Sequence, residues 1–190
     1  TRNYYNADGQ LVRRVMPEGN EVRLSYDPGP GPRRGNLLET RVVAGLRGGG
    51  EDHVTTYTYD NLDRMISMTD ALQGVTSYQY DALGRMTSMT DPRGGVTTYQ
   101  YDPRGRQTKV IQPDPDGAEP LTAPVTDYEY DAAGRLTKVT QPDPDGGGLL
   151  GRPITQYGYD NAGRITSMTD ALAGVTGYQY DDMDRLTKVT

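Results

Sequence analysis

Short β-prone runs alternate with clusters of turn formers along most of this chain. Between Arg85 and Tyr101, Met86-Thr-Ser-Met-Thr90 suits a pleated surface, Asp91-Pro-Arg-Gly-Gly95 reads as a turn, and Val96-Thr-Thr-Tyr-Gln-Tyr101 is a second strand-like run. The chain turns again at Asp102-Pro103-Arg104-Gly105: aspartate bonds the backbone ahead, proline pre-sets φ, and glycine closes a type I turn. Two strands and two turns are therefore predicted per period. Side chains alternate along a strand, so both tyrosines of Tyr-x-Tyr share one face, while Gln79, Gln100, Glu129 and Gly158 look the other way. The tyrosine face is expected to be buried and the other wet.

The same phrase recurs six times in near-complete form. It comprises Tyr57, Tyr59, Asp60 and Arg64; Tyr78, Tyr80, Asp81, Gly84 and Arg85; Tyr99, Tyr101, Asp102, Gly105 and Arg106. It continues with Tyr128, Tyr130, Asp131, Gly134 and Arg135; Tyr157, Tyr159, Asp160, Gly163 and Arg164; Tyr178, Tyr180, Asp181 and Arg185. Asp63 and Asp184 stand where the other copies have glycine, a tolerable change if the site is left-handed. Weaker copies centre on Tyr5 and Tyr26, with Asn3 and Leu24 in place of the first tyrosine. The second tyrosines are separated by 21, 33, 21, 21, 29, 29 and 21 residues, so the base period is 21 and the chain reads as a repeat array.

Three stretches follow: degenerate repeats at 1–27, a Pro/Gly-rich insertion at 28–56, and a regular array at 57–190. Pro28-Gly-Pro-Gly-Pro32 cannot be an interior strand, although Leu37–Val43 reads as one strand of a hairpin. Both longer units are expanded after their first strand by Gln-Pro-Asp-Pro-Asp-Gly, at 112–117 and 141–146, which puts both expansions on one edge, where repeat proteins often bind partners. The chain starts with a copy under way and stops within another, so it is expected to be a window on a longer array.

Eight units of two strands make an all-β protein whose sheet must bend, since open sheets rarely exceed about ten strands. The expected fold is an array of 21-residue β-hairpin repeats in a long curved or spiralling antiparallel sheet. A parallel β-solenoid with one coil per period is the alternative. Two tight turns per period favour hairpins.

Composition changes this picture little. Leu, Val and Ile make up 31 of 190 residues and Phe and Trp are absent, so the apolar load falls on fifteen tyrosines. A net charge of −6 with dispersed arginines argues against a nucleic-acid surface. Cysteine is absent, and no run approaches the roughly eighteen apolar residues of a transmembrane helix. Eight active sites are improbable where eight turns are required, so the Asp and Arg of the phrase read as structural. Arg85 and its equivalents are expected to pair with an aspartate of the next hairpin or to lie on a tyrosine face. His53, the one histidine, reads as a loop residue, and no nucleophile elbow is present. Asp114 and Asp116, like Asp143 and Asp145, echo two positions of a calcium loop, but Gln112 or Gln141 stands at position one and Ala123 or Arg152 at position twelve. No enzyme activity, cofactor or transition-metal site is expected.

The phrase Tyr-x-Tyr-Asp-x-x-Gly-Arg, with Leu/Met-Thr-x-Val/Met-Thr and Asp-x-x-Gly-x-Thr-x-Tyr after it, resembles the YD repeat of Rhs proteins, Tc toxin complexes and teneurins. The resemblance covers nearly all of 57–190 and extends weakly over 1–27. It implies a spiralling β-sheet shell that encloses and delivers a toxin from a secreted or cell-surface protein. No toxin domain or aspartyl autoproteolytic segment is recognisable here. An extracellular filament or adhesin of stacked repeats, with carbohydrate binding by exposed tyrosines, is the alternative. Partners expected on this basis are further repeats of the same chain, copies of itself, an enclosed toxin domain or surface glycans.

Overall fold

A computed structural model describes residues 1–17, 19–29, 35–43, 51–114, 123–144 and 150–190. The chain divides into two compact units, residues 1–94 and 95–190. The first contains β1 (Arg2–Tyr5), β2 (Leu11–Val15), β3 (Glu21–Tyr26), β4 (Leu37–Val43), β5 (His53–Tyr59), β6 (Met65–Thr69), β7 (Val75–Tyr80) and β8 (Met86–Thr90). The second contains β9 (Val96–Tyr101), β10 (Gln107–Ile111), β11 (Val125–Tyr130), β12 (Leu136–Thr140), β13 (Ile154–Tyr159), β14 (Ile165–Thr169), β15 (Val175–Tyr180) and β16 (Leu186–Val189). Within each unit every strand pairs antiparallel with the next in chain order, which is the hairpin array and not the parallel solenoid. No helix forms among the described residues.

Each Tyr-x-Tyr strand opens a hairpin, and the strand after the aspartate turn closes it. Pairing across the hairpin slips by one residue at the second tyrosine: Gln79 faces Ser88, whereas Tyr80 faces Met86, so Thr87 is an extra residue. The same slip occurs at Tyr5, Tyr26, Tyr59, Tyr101, Tyr130, Tyr159 and Tyr180. A bulge of this kind bends its strand and sharpens the local twist. The hydroxyls of Thr137 and Thr187, both bulge residues, donate to the carbonyls of Glu129 and Gln179 across the hairpin.

β4 lies inside the stretch 28–56, pairing with β3 on one side and β5 on the other. Its turn closes as the others do, with Asp27 N–H donating to Asn36 O and Gly35 N–H to Asp27 O. The 33-residue unit thus contains an ordinary repeat hairpin.

The tyrosine face is less buried than its aromatic content suggests. The paired tyrosines are half-buried, and Val139, at 8% exposure, is the one buried hydrophobic among the described residues. The physical reason is that, among the described residues, each meander is a single sheet with no second layer of its own to close over either face. The opposite face is wetter, with Thr58, Gln79, Gln100, Glu129 and Gln179 all exposed.

Candidate functional site

Chemistry concentrates at the aspartate turns. In the β7–β8 hairpin, Asp81 N–H donates to Arg85 O at 2.9 Å and Gly84 N–H to Asp81 O at 3.0 Å. Asp81 Oδ1 accepts the amides of Leu83 and Arg85, both at 2.9 Å, and Oδ2 accepts Arg85 Nε at 2.6 Å. The arginine–aspartate contact recurs at 2.7 Å from Arg64, Arg106, Arg135, Arg164 and Arg185 to the aspartate of each one's own turn. One carboxylate thereby closes the turn and fixes the arginine stem. The fourth turn position is left-handed throughout: φ is 80° at Gly84, 60° at Asp63 and 62° at Asp184. Both aspartates there gain a lateral partner from the preceding turn, Asn36 Nδ2 to Asp63 Oδ1 at 2.9 Å and Arg164 Nη1 to Asp184 Oδ1 at 2.6 Å.

Arg64, Arg106, Arg135 and Arg164 then reach the next repeat. The guanidinium carbon lies 4.9 Å from the Tyr80 ring centre for Arg64, 4.6 Å from Tyr130 for Arg106, 4.7 Å from Tyr159 for Arg135 and 4.9 Å from Tyr180 for Arg164. Its Nη1 donates to the backbone carbonyl of the next turn's aspartate, at 3.1 Å for Asp81, 3.3 Å for Asp131, 3.0 Å for Asp160 and 3.4 Å for Asp181. A bond runs back from the same ring. The hydroxyl of Tyr80 donates to Met65 O at 2.8 Å, Tyr130 to Gln107 O at 2.8 Å and Tyr159 to Leu136 O at 2.6 Å; Tyr59 and Tyr26 do likewise to Leu37 O and Leu11 O. Aspartate, arginine and second tyrosine thus form a staple from one hairpin to the next. The recurring carboxylate partner is the aspartate of the arginine's own turn, because Nε reaches Oδ2 four residues back while the ring and the carbonyl take the far face and Nη1; Arg164 also pairs with Asp184 of the next hairpin.

The first tyrosines have a different place. Tyr57, Tyr78 and Tyr157 lie opposite Met68, Met89 and Met168, and Tyr99, Tyr128 and Tyr178 opposite Val110, Val139 and Val189. They pack mid-face. Tyr101 lies opposite Gln107.

The electrostatics follow the staple. Hydrogen bonds from Arg64 and Arg164 hold Asp60 and Asp160 below the usual carboxylate range, and the backbone amides of Arg85, Arg135 and Arg185 lead the same effect at Asp81, Asp131 and Asp181. At Asp102 burial opposes the shift, yet the bonds from Arg106 and Arg104 outweigh it. Burial raises the phenols of Tyr59, Tyr80 and Tyr159.

The opposite edge uses aspartate without arginine. Asp70 Oδ1 accepts Leu72 and Gly74 amides at 2.8 Å, and Asp170 Oδ1 accepts Leu172 and Gly174 at 2.9 and 2.8 Å. A Cβ on Gly74 or Gly174 would fall 2.7 Å from the aspartate Oδ2, so a larger residue there would displace that carboxylate oxygen. Asp116 and Asp145 of the calcium echo lie outside the described residues; among those described, no three His, Cys, Asp or Glu side chains gather into a metal-sized group. His53 is exposed at the start of β5, opposite Val42.

The weak copy at Tyr5 was legible in the sequence, but the side-chain bond within its turn was not. Asn6 and Gln10 form an uncharged version: Asn6 Oδ1 accepts the amides of Asp8 and Gln10, and Asn6 Nδ2 donates to Gln10 Oε1 at 2.7 Å. The signal was the same four-residue spacing, hidden by the loss of charge.

Hairpins stitched to their neighbours by one recurring set of contacts define a β-hairpin repeat scaffold. The RHS repeat family profile matches residues 66–96, 80–119, 114–146 and 159–190, more than half of the chain. The chain belongs to the RHS repeat family. No curated protein sequence matches it. Among solved structures, it is similar in fold to the TcdB2–TccC3 crystal structure lacking the hypervariable C-terminal region (TM-score 0.76, 19% identity) and to the TcdB2–TccC3–Cdc42 crystal structure (0.74, 19%), covering 97% of this chain in each. The Photorhabdus luminescens Tc holotoxin pore is also similar (0.53, 16% identity, 95% of this chain). This chain spans only 10% of the first two proteins' length and 12% of the third's.

Proposed function

We propose that this array is a stretch of shell wall in a secreted or cell-surface protein, where it helps to enclose and deliver a toxin and acts without catalysis. The observation that carries the reading is the staple: the chemically richest residues of the chain spend their hydrogen bonds joining one hairpin to the next. The signature tyrosines, aspartates and arginines are accordingly structural, with 57–190 as the regular part of the wall and the repeats of 1–27 and 28–56 continuing it. Membership of the RHS repeat family and the fold shared with Tc toxin components support a shell. The surface-glycan reading has less support, since Tyr80, Tyr130, Tyr159 and Tyr180 each carry a guanidinium on one ring face.

Electron microscopy of the full-length protein tests this. Closed hollow particles, with an interior segment protected from added protease, are expected. Long threads would establish the filament alternative instead.

A further inference from the structure

The two expanded connections, 112–124 and 141–153, meet at Arg152. This arginine belongs to the second connection, yet two of its four bonds go to the first. Nη1 donates to Asp127 Oδ2 at 2.7 Å and Nη2 to the carbonyl of Val125, both at the foot of the first connection. Nε donates to Gln141 O at 2.9 Å and Nη2 also to Thr140 O at 3.2 Å, at the near foot of its own. Asp127 is in turn held from the other side by Lys109 Nζ at 3.3 Å. Burial raises the Asp127 carboxyl, but bonds from Arg152 and Lys109 outweigh this and leave it below its ordinary range. A cleft of about 290 Å3 is lined by both feet, with Pro124 and Val125 from the first and Asp143 and Arg152 from the second.

We propose that Arg152 is a strap that couples the feet of the two connections, so that loosening either foot is felt at the other. Two equivalent amides report on it: Gln112 N–H donates to Pro124 O at 2.9 Å across the first foot, and Gln141 N–H to Pro153 O at 2.8 Å across the second. An arginine that serves only its own connection protects only the second. A strap protects both, and because coupling free energy is reciprocal, release from the Asp127 side must loosen the second foot.

Amide hydrogen exchange of the whole chain tests the proposal in two variants. Arg152→Ala removes a charged donor, and exchange of both Gln112 and Gln141 is expected to quicken roughly tenfold or more. Asp127→Asn keeps the shape of β11 and releases only the ion pair; it is expected to quicken Gln141 as well as Gln112. The Asp70 amide, bonded to Gly74 O in the other unit, is the folding control and should keep its wild-type rate. Faster exchange confined to Gln141 in Arg152→Ala and to Gln112 in Asp127→Asn would overturn the coupling, as would unchanged rates at both.

Discussion

A single aspartate does up to three tasks in each staple turn. It accepts two backbone amides and orients an arginine, and at Asp81, Asp131, Asp160 and Asp181 its own carbonyl takes the arginine of the preceding repeat. The spacing that makes this possible and the tyrosine face under the arginine were legible in the sequence; the recurring carboxylate partner was not, because a four-residue separation across a tight turn looks the same whether the side chain folds back or reaches forward. Two residues show what the turn tolerates. Gln73 and Ala173 occupy the left-handed position of the opposite edge at φ 65° and 64°, where Gly94 stands in a third copy. Neither is glycine, and the left-handed conformation costs an ordinary residue about 1–2 kcal/mol. Ala173→Gly is therefore expected to stabilise the protein by up to about 1 kcal/mol after the added entropy of the unfolded chain is discounted, read from urea melts. Gly84→Ala should destabilise it by a similar amount.

At the scale of the hairpin, titration has a predicted shape. The staple carboxylates lie below their ordinary values when folded, so their stabilisation is present at neutral pH, starts to fall near about pH 4 and is lost as pH drops through the lowered values. Glu21, brought down to about 2 by bonds from Arg13 and Arg23, belongs to the same limb. The tyrosine phenols run oppositely: raised when folded, they favour the native state below about pH 10 and cease to do so as pH climbs through their raised values. Melting temperature against pH should form a plateau with both shoulders. A double-mutant cycle isolates the link between hairpins. Arg135→Met and Tyr159→Leu, alone and together, should give a coupling of about 0.5–1 kcal/mol in urea unfolding, with the Asp131 contact cancelling in the cycle. Strand order and hairpin pairing were readable because alternation and turn chemistry agreed. The recurring bulge was not, since Thr87 fits a regular strand and a bulge equally well; nor was Arg152, whose partners lie 11 to 27 residues away.

For the molecule as a whole, the period is the design rule. Within each unit, neighbouring repeats of the regular array are joined by the same staple, so stability there is close to a sum over repeats and adjacent interfaces. Half-burial of the tyrosines could not be foreseen, because aromatic spacing reports which residues share a face and not whether a second layer covers it. The signature specifies a joint between hairpins, in phase with a 21-residue period. Excising residues 60–80 tests it most directly, since Tyr59 then runs into Asp81 with alternation, turn and staple in register. The shortened chain is predicted to keep its β-sheet circular dichroism and a cooperative unfolding transition. Excising 59–78 instead leaves one extra residue inside the strand, which turns Tyr57 and Tyr80 onto opposite faces and should destroy that transition. Equal unfolding behaviour of the two deletions, or loss of the fold in the in-phase one, would contradict the claim.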